Sequence, residues 1–147
     1  MSRIHQAETV IDGPIEAVWE TLLDVGRHSE WSDSFVLHGA PAEGGRGRVG
    51  FWAFGRALTH PIVFEVVHPP RRLEWRGGPR RLVSGRHYFE LEPVDADGAR
   101  TRFVHGEEFS GVAVNVLWPA LMKVLGPSYG RFNEQLKRRV EEAMGSR

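Results

Sequence analysis

Residues 85–111, GRHYFELEPVDADGARTRFVHGEEFSG, predict two antiparallel strands joined by a hairpin loop. Both halves, near 82–94 and 100–110, are rich in aromatic and β-branched residues, and Asp97-Gly98 is a turn signal between them. A three-residue loop over 96–98 puts Gly98 in the left-handed position that such loops favour. The loop length therefore also fixes which residues of the two strands lie opposite each other.

Three ionisable side chains of this hairpin are expected to point into the protein interior. Alternate residues of a strand share one face, so Phe103 carries His105 and Glu107 inward, and Phe89 does the same for His87. The register sets Glu107 opposite His87 and His105 opposite Phe89, and opposed Cβ atoms lie roughly 4.5–5.5 Å apart. The sequence thus predicts a His/Glu/His cluster inside an apolar cup.

Three interpretations of this cluster stay open. A buried carboxylate beside a histidine donor can simply satisfy itself, because the pair makes burial of both groups tolerable. The cluster can instead anchor a ligand carbonyl or hydroxyl, or it can act in acid/base catalysis, with His87, His105 and Glu107 as the candidate groups. Their spacing is no recognised metal-ligand motif, so we expect neither a metal nor a cofactor.

The rest of the middle segment continues the strand pattern. Short apolar runs separated by Gly and Pro clusters extend from Phe35 to Ser110, and no helical pattern interrupts them. Parallel βαβ units are therefore excluded, and consecutive hairpins are favoured. The remaining strands are expected near 4–11, 34–39, 47–55, 60–68 and 72–77.

Helical patterns flank the strands on both sides. After the stop signal Asp12-Gly13-Pro14, apolar residues recur at intervals of three and four in Ile15–Leu23, and a second short helix is expected over Val25–Trp31. A longer amphipathic helix is expected from about Asn115 to Ala143. Its apolar stripe comprises Leu117, Leu121, Val124, Leu125, Phe132, Leu136, Val140 and Met144.

Two prolines fall within this long helical pattern. Pro119 is compatible with the first turn, whereas Gly126-Pro127 lies in the middle, where proline removes a backbone hydrogen bond and clashes with the preceding turn. The sequence therefore predicts a kink or break at Gly126-Pro127.

Composition excludes several classes of function. The 147 residues carry 19 basic and 19 acidic side chains, so the chain lacks the positive charge that nucleic acids and anionic membranes attract. It has no cysteine and no run of roughly 18 apolar residues, which excludes disulfides and a membrane span. Without a linker or an internal repeat, residues 1–147 are expected to form a single domain, and without a signal peptide we expect a cytoplasmic location.

The order strand, two short helices, meander and long C-terminal helix resembles the START-like superfamily, also called SRPBCC or the birch-pollen-allergen-like helix-grip fold. Local sequences resemble its polyketide cyclase/dehydrase branch from about Ile4 to Glu142, with two departures at Ser32-Asp33 and Gly126-Pro127. The blocks that carry the resemblance are PIEAVW at 14–19, LLD at 22–24, EW at 30–31, LEWRG at 73–77, GRHYFELEP at 85–93, TRFVHGEEFSG at 101–111 and NEQLK at 133–137.

The resemblance implies an α+β helix-grip fold, in which a seven-stranded antiparallel sheet wraps around the C-terminal helix. Members of the superfamily bind lipids, sterols, hormones or polyketides, act as cyclases, or assist partner proteins. The first hypothesis is therefore binding of a hydrophobic or aromatic small molecule, lipid- or polyketide-like, in an internal cavity, by a monomer or weak homodimer. The alternatives are a polyketide cyclase or dehydratase that uses the inward His/Glu groups, and a co-chaperone-like domain that binds a protein partner.

Aromatic and aliphatic residues of the strands and the last helix are expected to line this cavity together with the polar cluster. The expected ligand-binding residues are Trp52, Phe54, Phe64, Trp75, His87, Phe89, Phe103, His105, Glu107, Trp118, Leu121 and Leu125.

The densest group of positive charges has a structural interpretation. Arg71-Arg72, Arg76, Arg80-Arg81 and Arg86 are interpreted as a solvated strand edge that discourages edge-to-edge pairing, rather than as an anion site. No nucleophile elbow, phosphate loop, dinucleotide fingerprint or helical zinc motif is present, which disfavours the common enzyme classes.

Overall fold

Residues 2–145, the part of the chain that the computed structural model describes, contain seven strands, two α-helices and one 3₁₀ helix. In chain order they are β1 (Ser2–Ile11), α1 (Ile15–Leu23), a 3₁₀ helix (Val25–Glu30), β2 (Phe35–Gly39), β3 (Arg46–Ala53), β4 (Arg56–His68), β5 (Arg72–Gly77), β6 (Ser84–Pro93), β7 (Thr101–Ser110) and α2 (Val114–Gly145).

The strands form one antiparallel sheet in the order β1-β7-β6-β5-β4-β3-β2. The α+β helix-grip fold is thereby confirmed, with α2 against the inner face of the sheet. The predicted hairpin register is also confirmed, because Glu107 pairs with His87 and His105 pairs with Phe89. Gly98 has a φ of 71°, as the hairpin loop requires.

The interpretation of the arginines as a solvated strand edge is wrong. The edges of the sheet are β1 and β2, whereas β5 and β6 lie in its interior. Arg72 instead contacts the buried Glu74 at 2.8 Å, and Arg86 contacts Glu108 at 3.3 Å. The charges of Arg72 and Arg86 on the outer face are therefore neutralised by glutamates of the same and neighbouring strands.

α1 buries the apolar face that its sequence predicts, formed by Ile15, Val18, Trp19 and Leu22. The following 3₁₀ helix places His28 in a fully buried position between two backbone groups. Its Nε2 lies 2.7 Å from the Leu22 carbonyl, and the Leu37 N–H donates to its Nδ1 at 3.2 Å. A carbonyl only accepts and an N–H only donates, so His28 is held as the neutral Nε2–H tautomer.

α2 runs without interruption from Val114 to Gly145, so the helix does not break at Gly126-Pro127, and the kink expected there stays a prediction. Pro119 lies in the second turn rather than the first, because the helix begins at Val114. An internal proline costs about 3 kcal/mol or more. Burial of the apolar stripe beyond Pro127 offsets this cost, since each fully buried large side chain contributes about 1.5–3 kcal/mol. Phe132, Leu136 and Val140 of the stripe are buried there, together with Tyr129.

No helix within residues 2–145 is long and apolar enough to cross a membrane.

Replacing Phe54 with asparagine is expected to raise the free energy of unfolding by about 1 kcal/mol. Phe54-Gly55 forms the two-residue turn between β3 and β4, where Phe54 has a φ of 54° and is 82% exposed. A bulky residue is strained in this left-handed region, whereas asparagine tolerates it. Urea denaturation measures the difference, and an Asn variant no more stable than the wild type would contradict the strain.

Candidate functional site

A cavity of about 270 Å³ lies between the inner face of the sheet and the first half of α2. Its walls are mainly apolar and aromatic, as in small-molecule sites generally. The lining residues are Phe35, Val49, Phe51, His60, Ile62, Trp75, Gly77, Gly78, Val83, Gly85, His87, Glu107, Phe109, Leu121 and Leu125.

The cavity exists because side chains are missing from its floor. Gly77 of β5 and Gly85 of β6 are directly paired across the two strands, so neither residue places a side chain on the inner face of the sheet there. On the opposite side, Leu121 and Leu125 are only half-buried, while the buried residues of α2 lie almost entirely beyond Pro127. One half of α2 therefore closes the core, and the other half covers the cavity.

A chain of polar contacts runs from the helix into the wall of this cavity. Asn133 Oδ1 lies 3.1 Å from His105 Nδ1, and His105 Nε2 lies 2.5 Å from His87 Nε2. His87 Nδ1 lies 3.1 Å from Glu107 Oε1, which also accepts a hydrogen bond from the Tyr129 hydroxyl at 2.5 Å. The predicted His/Glu/His cluster is thus assembled, and α2 adds two partners to it.

Aromatic rings hold the cluster from both sides. His87 stacks on Trp75 with ring centroids 4.4 Å apart and faces Tyr129 on its other side at 5.5 Å. The edge of Phe35 contacts His87 at 5.0 Å and His105 at 5.5 Å. The orientation of the imidazoles is therefore set by packing as well as by hydrogen bonds.

Burial changes the proton affinities of two members of the chain. Burial lowers the pKa of His105 well below the ordinary value of 6.5, and the nearby His87 lowers it further. Hydrogen bonds to Asn133 and to the Tyr129 backbone act in the opposite direction but are smaller. Burial also raises the pKa of Tyr129 well above 10, with the charge of Glu107 as the next cause. His105 is therefore neutral at neutral pH, and Tyr129 keeps its proton.

Hydrogen-bond directions then place one proton between His87 and Glu107. The backbone carbonyl of Tyr129 accepts from the His105 ring, so the ring nitrogen that faces α2, Nδ1, carries the hydrogen. His105 Nε2 must accept from His87 Nε2, and one further proton is needed at the contact between His87 Nδ1 and Glu107 Oε1. The pair is either imidazolium with carboxylate or imidazole with carboxylic acid, and in both forms it faces the cavity.

His60 adds a second polar group to the cavity wall. The backbone N–H of Gly78 donates to His60 Nε2 at 2.8 Å, so this nitrogen bears no hydrogen. The neutral ring therefore carries its hydrogen on Nδ1 and is a donor. Along the sheet, His60 of β4 and Glu107 of β7 stand on opposite sides of the glycine pair Gly77 and Gly85.

Five of the twelve residues expected to bind ligand border the cavity, namely Trp75, His87, Glu107, Leu121 and Leu125. Phe64, Phe89, Phe103 and His105 are fully buried beside it in the core and do not border it.

The other three expected ligand-binding residues lie elsewhere. Trp52 and Phe54 do not border the cavity, because the β3–β4 hairpin carries them outward to 55% and 82% exposure. Trp118 packs against Phe109 and under Arg3 outside the cavity. In the sequence, aromatic character alone could not distinguish these three residues from the residues that line the cavity.

Several residues of the site were not among the sequence-based candidates. His60 shares the inner face with Ile62 and Phe64 by strand alternation, and Tyr129 precedes Phe132 at helical spacing, so both had a detectable signal. Asn133 and Gly85 had none, because a polar helix residue and a strand glycine are ordinary features until their partners are known.

A family model described as polyketide cyclase / dehydrase and lipid transport matches residues 3–141. No curated protein sequence matches the chain.

Solved structures with the same fold cover nearly the whole chain at low sequence identity. The Zhui aromatase/cyclase from Streptomyces sp. R1128 is 15% identical with a TM-score of 0.78, covering 98% of this chain and 96% of its own. A START superfamily protein from Mycobacterium smegmatis is 12% identical with a TM-score of 0.75, covering 95% and 98%. Norcoclaurine synthase from Thalictrum flavum, a point mutant in complex with a transition-state analogue, is 12% identical with a TM-score of 0.72, covering 98% and 97%. At these identities the likeness shows the fold alone.

Proposed function

The chain belongs to the polyketide cyclase / dehydrase and lipid transport family, which confirms the resemblance noted in its sequence, and we propose that it binds a small hydrophobic or aromatic molecule in the cavity under α2. The observation that carries the proposal is an apolar cavity with one imidazole–carboxylate pair, His87 and Glu107, in its wall. Such a pair orients a ligand while the apolar walls supply most of the affinity.

The size of the cavity supports a compact ligand. Its volume of about 270 Å³ is near the lower end of ligand pockets, which begin at roughly 300 Å³. Aromatic walls from Phe35, Trp75 and Phe109 favour a flat molecule that can pack against rings. A fused two-ring compound is therefore a suitable first probe.

Acid/base catalysis is a second candidate function, favoured by the proton shared between His87 and Glu107 at the cavity wall. Of the three catalytic candidates, His105 acts only through His87, because it does not border the cavity. Exchange of deuterium into the α-carbon of 2-tetralone in D2O distinguishes this activity from binding alone.

A domain that only binds a protein partner is less well supported, since that hypothesis predicts no internal cavity, whereas a cavity with mainly apolar walls lies under α2. The cytoplasmic location, the absence of nucleic-acid binding and the monomer or weak homodimer stay predictions.

Filling the cavity is expected to abolish binding of the neutral fluorescent probe 2-naphthol. Leu125→Trp adds a large side chain to the half of α2 that covers the cavity, and we expect its Kd for 2-naphthol to rise at least tenfold. Leu121→Trp, which enters from the preceding turn, should act in the same direction. Fluorescence titration measures the change, and circular dichroism establishes that each variant is folded.

Val116→Trp is the matched control for these variants. It places the same side chain on the same helix at a position that is 82% exposed and outside the cavity. Its affinity for 2-naphthol should equal that of the wild type. Folded cavity variants that bind as tightly as Val116→Trp would exclude this cavity as the binding site.

A further inference from the structure

The two carboxylate oxygens of Glu107 have different surroundings. Oε1 accepts from the Tyr129 hydroxyl and contacts His87 Nδ1, whereas Oε2 has no hydrogen-bond or ion-pair partner among residues 2–145. In that part of the chain, only Arg86 Nε and Asn133 Nδ2 combine full burial with the lack of a partner. Oε2 is therefore open to the cavity that Glu107 lines.

Gly85 provides the space for this oxygen. A Cβ atom on residue 85 would overlap Oε2, so any other residue would displace the carboxylate. Gly85 and Glu107 both border the cavity, and Gly85 lies one strand over from Glu107, diagonal to it in the register. The glycine thus has a role in the site as well as in the volume of the cavity.

Oε2 is a hydrogen-bond acceptor in both proton arrangements of the pair. The Tyr129 hydroxyl hydrogen points at Oε1, and the proton shared with His87 also lies at Oε1, whether nitrogen or oxygen carries it. No proton of the protein is thus directed to Oε2. A ligand that meets this atom must supply the hydrogen.

The charge around the cavity selects against anions. No lysine or arginine borders it in the described part of the chain, and its only carboxylate is that of Glu107. An anionic ligand group near Oε2 would lie beside Glu107 with no lysine or arginine to balance its charge in apolar surroundings, which is costly.

His60 borders the cavity on the side away from Glu107. Its ring lies close to Gly77 in β5, whereas the Glu107 carboxylate lies over the paired Gly85 in β6. A flat molecule with its donor group at Glu107 can therefore extend toward His60 between the apolar walls.

We propose that the cavity takes a flat molecule without an anionic group that donates an O–H or N–H hydrogen to Glu107 Oε2 while its rings pack against the aromatic walls formed by Phe35, Trp75 and Phe109. This inference rests on the proposed function and adds the chemical class of the ligand. Gly85 is the residue that keeps the acceptor in place.

Three naphthalenes of nearly equal shape test the ligand class. The wild type should bind 2-naphthol at least tenfold more tightly than 2-methoxynaphthalene, because only the naphthol donates a hydrogen bond to a charged or charge-assisted acceptor. The anionic 2-naphthoate should bind most weakly of the three. Isothermal titration calorimetry at pH 7.5 measures all three affinities.

Variants assign the preference to Glu107. Glu107→Gln keeps the shape and removes the charge, so it should weaken 2-naphthol and strengthen 2-naphthoate, and the ratio of the two affinities should fall about tenfold or more. Gly85→Ala, which displaces the carboxylate, should lower the same ratio. Glu108→Gln is the matched control, because Glu108 is the next residue on the outer face, paired with Arg86, and its ratio should stay at the wild-type value.

The outcomes separate this inference from the proposed function. If none of the three naphthalenes binds the wild type, both fail. If the three compounds bind with equal affinity, or if 2-naphthoate binds most tightly, the cavity does bind small molecules, but the proposed preference for hydrogen-bond donors at Glu107 Oε2 is wrong. If the ratio of the affinities for 2-naphthol and 2-naphthoate is the same in Glu107→Gln as in Glu108→Gln, Glu107 is not the residue that sets the preference.

Discussion

Replacing Trp75 with alanine is expected to lower the free energy of unfolding by about 3–5 kcal/mol. Trp75 is 2% exposed, stacks on His87, and contacts the edge of Phe89 with ring centroids 5.1 Å apart. Truncation removes the apolar surface that the indole buries and leaves a void beside the existing cavity, which β5 and β6 cannot close. Urea denaturation followed by circular dichroism measures the loss.

Trp52→Ala is the matched control, since it removes the same side chain from a position that is 55% exposed on β3. Its effect should stay within about 0.5 kcal/mol, as is usual for surface substitutions. If Trp75→Ala costs no more than Trp52→Ala, the indole of Trp75 does not pack between His87 and Phe89.

Lowering the pH from 7 to 5 is expected to destabilise the fold by about 2–4 kcal/mol. Burial lowers the pKa of both His105 and His28 from the ordinary value of 6.5. Below pH 6.5 the unfolded chain therefore binds protons that the folded chain does not, and stability falls by about 1.4 kcal/mol per pH unit for each such proton. Above pH 7 the two histidines are neutral in both states, and their contribution no longer changes.

Single substitutions divide this pH dependence between the two histidines. His105→Gln and His28→Gln should each reduce the slope of unfolding free energy against pH, measured by urea denaturation between pH 5 and 7. Leu136→Ala is the control, because it destabilises the buried stripe of α2 but keeps both histidines and should keep the full slope. Equal slopes in all four proteins would show that neither histidine stays neutral in the folded state.

The hairpin between β6 and β7 was predictable from the sequence because its determinants are local. Alternation placed His105 and Glu107 on the face of Phe103, and the loop ending at Gly98 set the register that pairs Glu107 with His87. Backbone geometry within a few residues decides both properties. The same holds for the apolar face of α1 and for the element order that indicated the helix-grip fold.

Local rules failed where packing between distant elements outweighed them. A proline such as Pro127 ordinarily disrupts a helix, because it removes a backbone hydrogen bond. α2 nevertheless continues through Pro127, because burial of the apolar side chains that follow it outweighs this loss. The arginines of β5 and β6 look like an edge in the sequence, but which strands form the edge depends on the pairing of the whole sheet.

Half of the site follows from the hairpin, and the other half depends on where α2 lies. His87 and Glu107 meet because one loop joins their strands, whereas Tyr129 reaches Glu107 across 22 residues and Asn133 reaches His105 across 28. The cavity likewise needs Gly77 and Gly85 to pair beneath the first half of the helix. The pattern of side chains along the chain specifies strands, helices and neighbouring pairs, because these depend on short-range backbone geometry. The open oxygen of Glu107, its partners from α2 and the space around it arise only when sheet and helix pack together, because each is a distance between segments far apart in the chain.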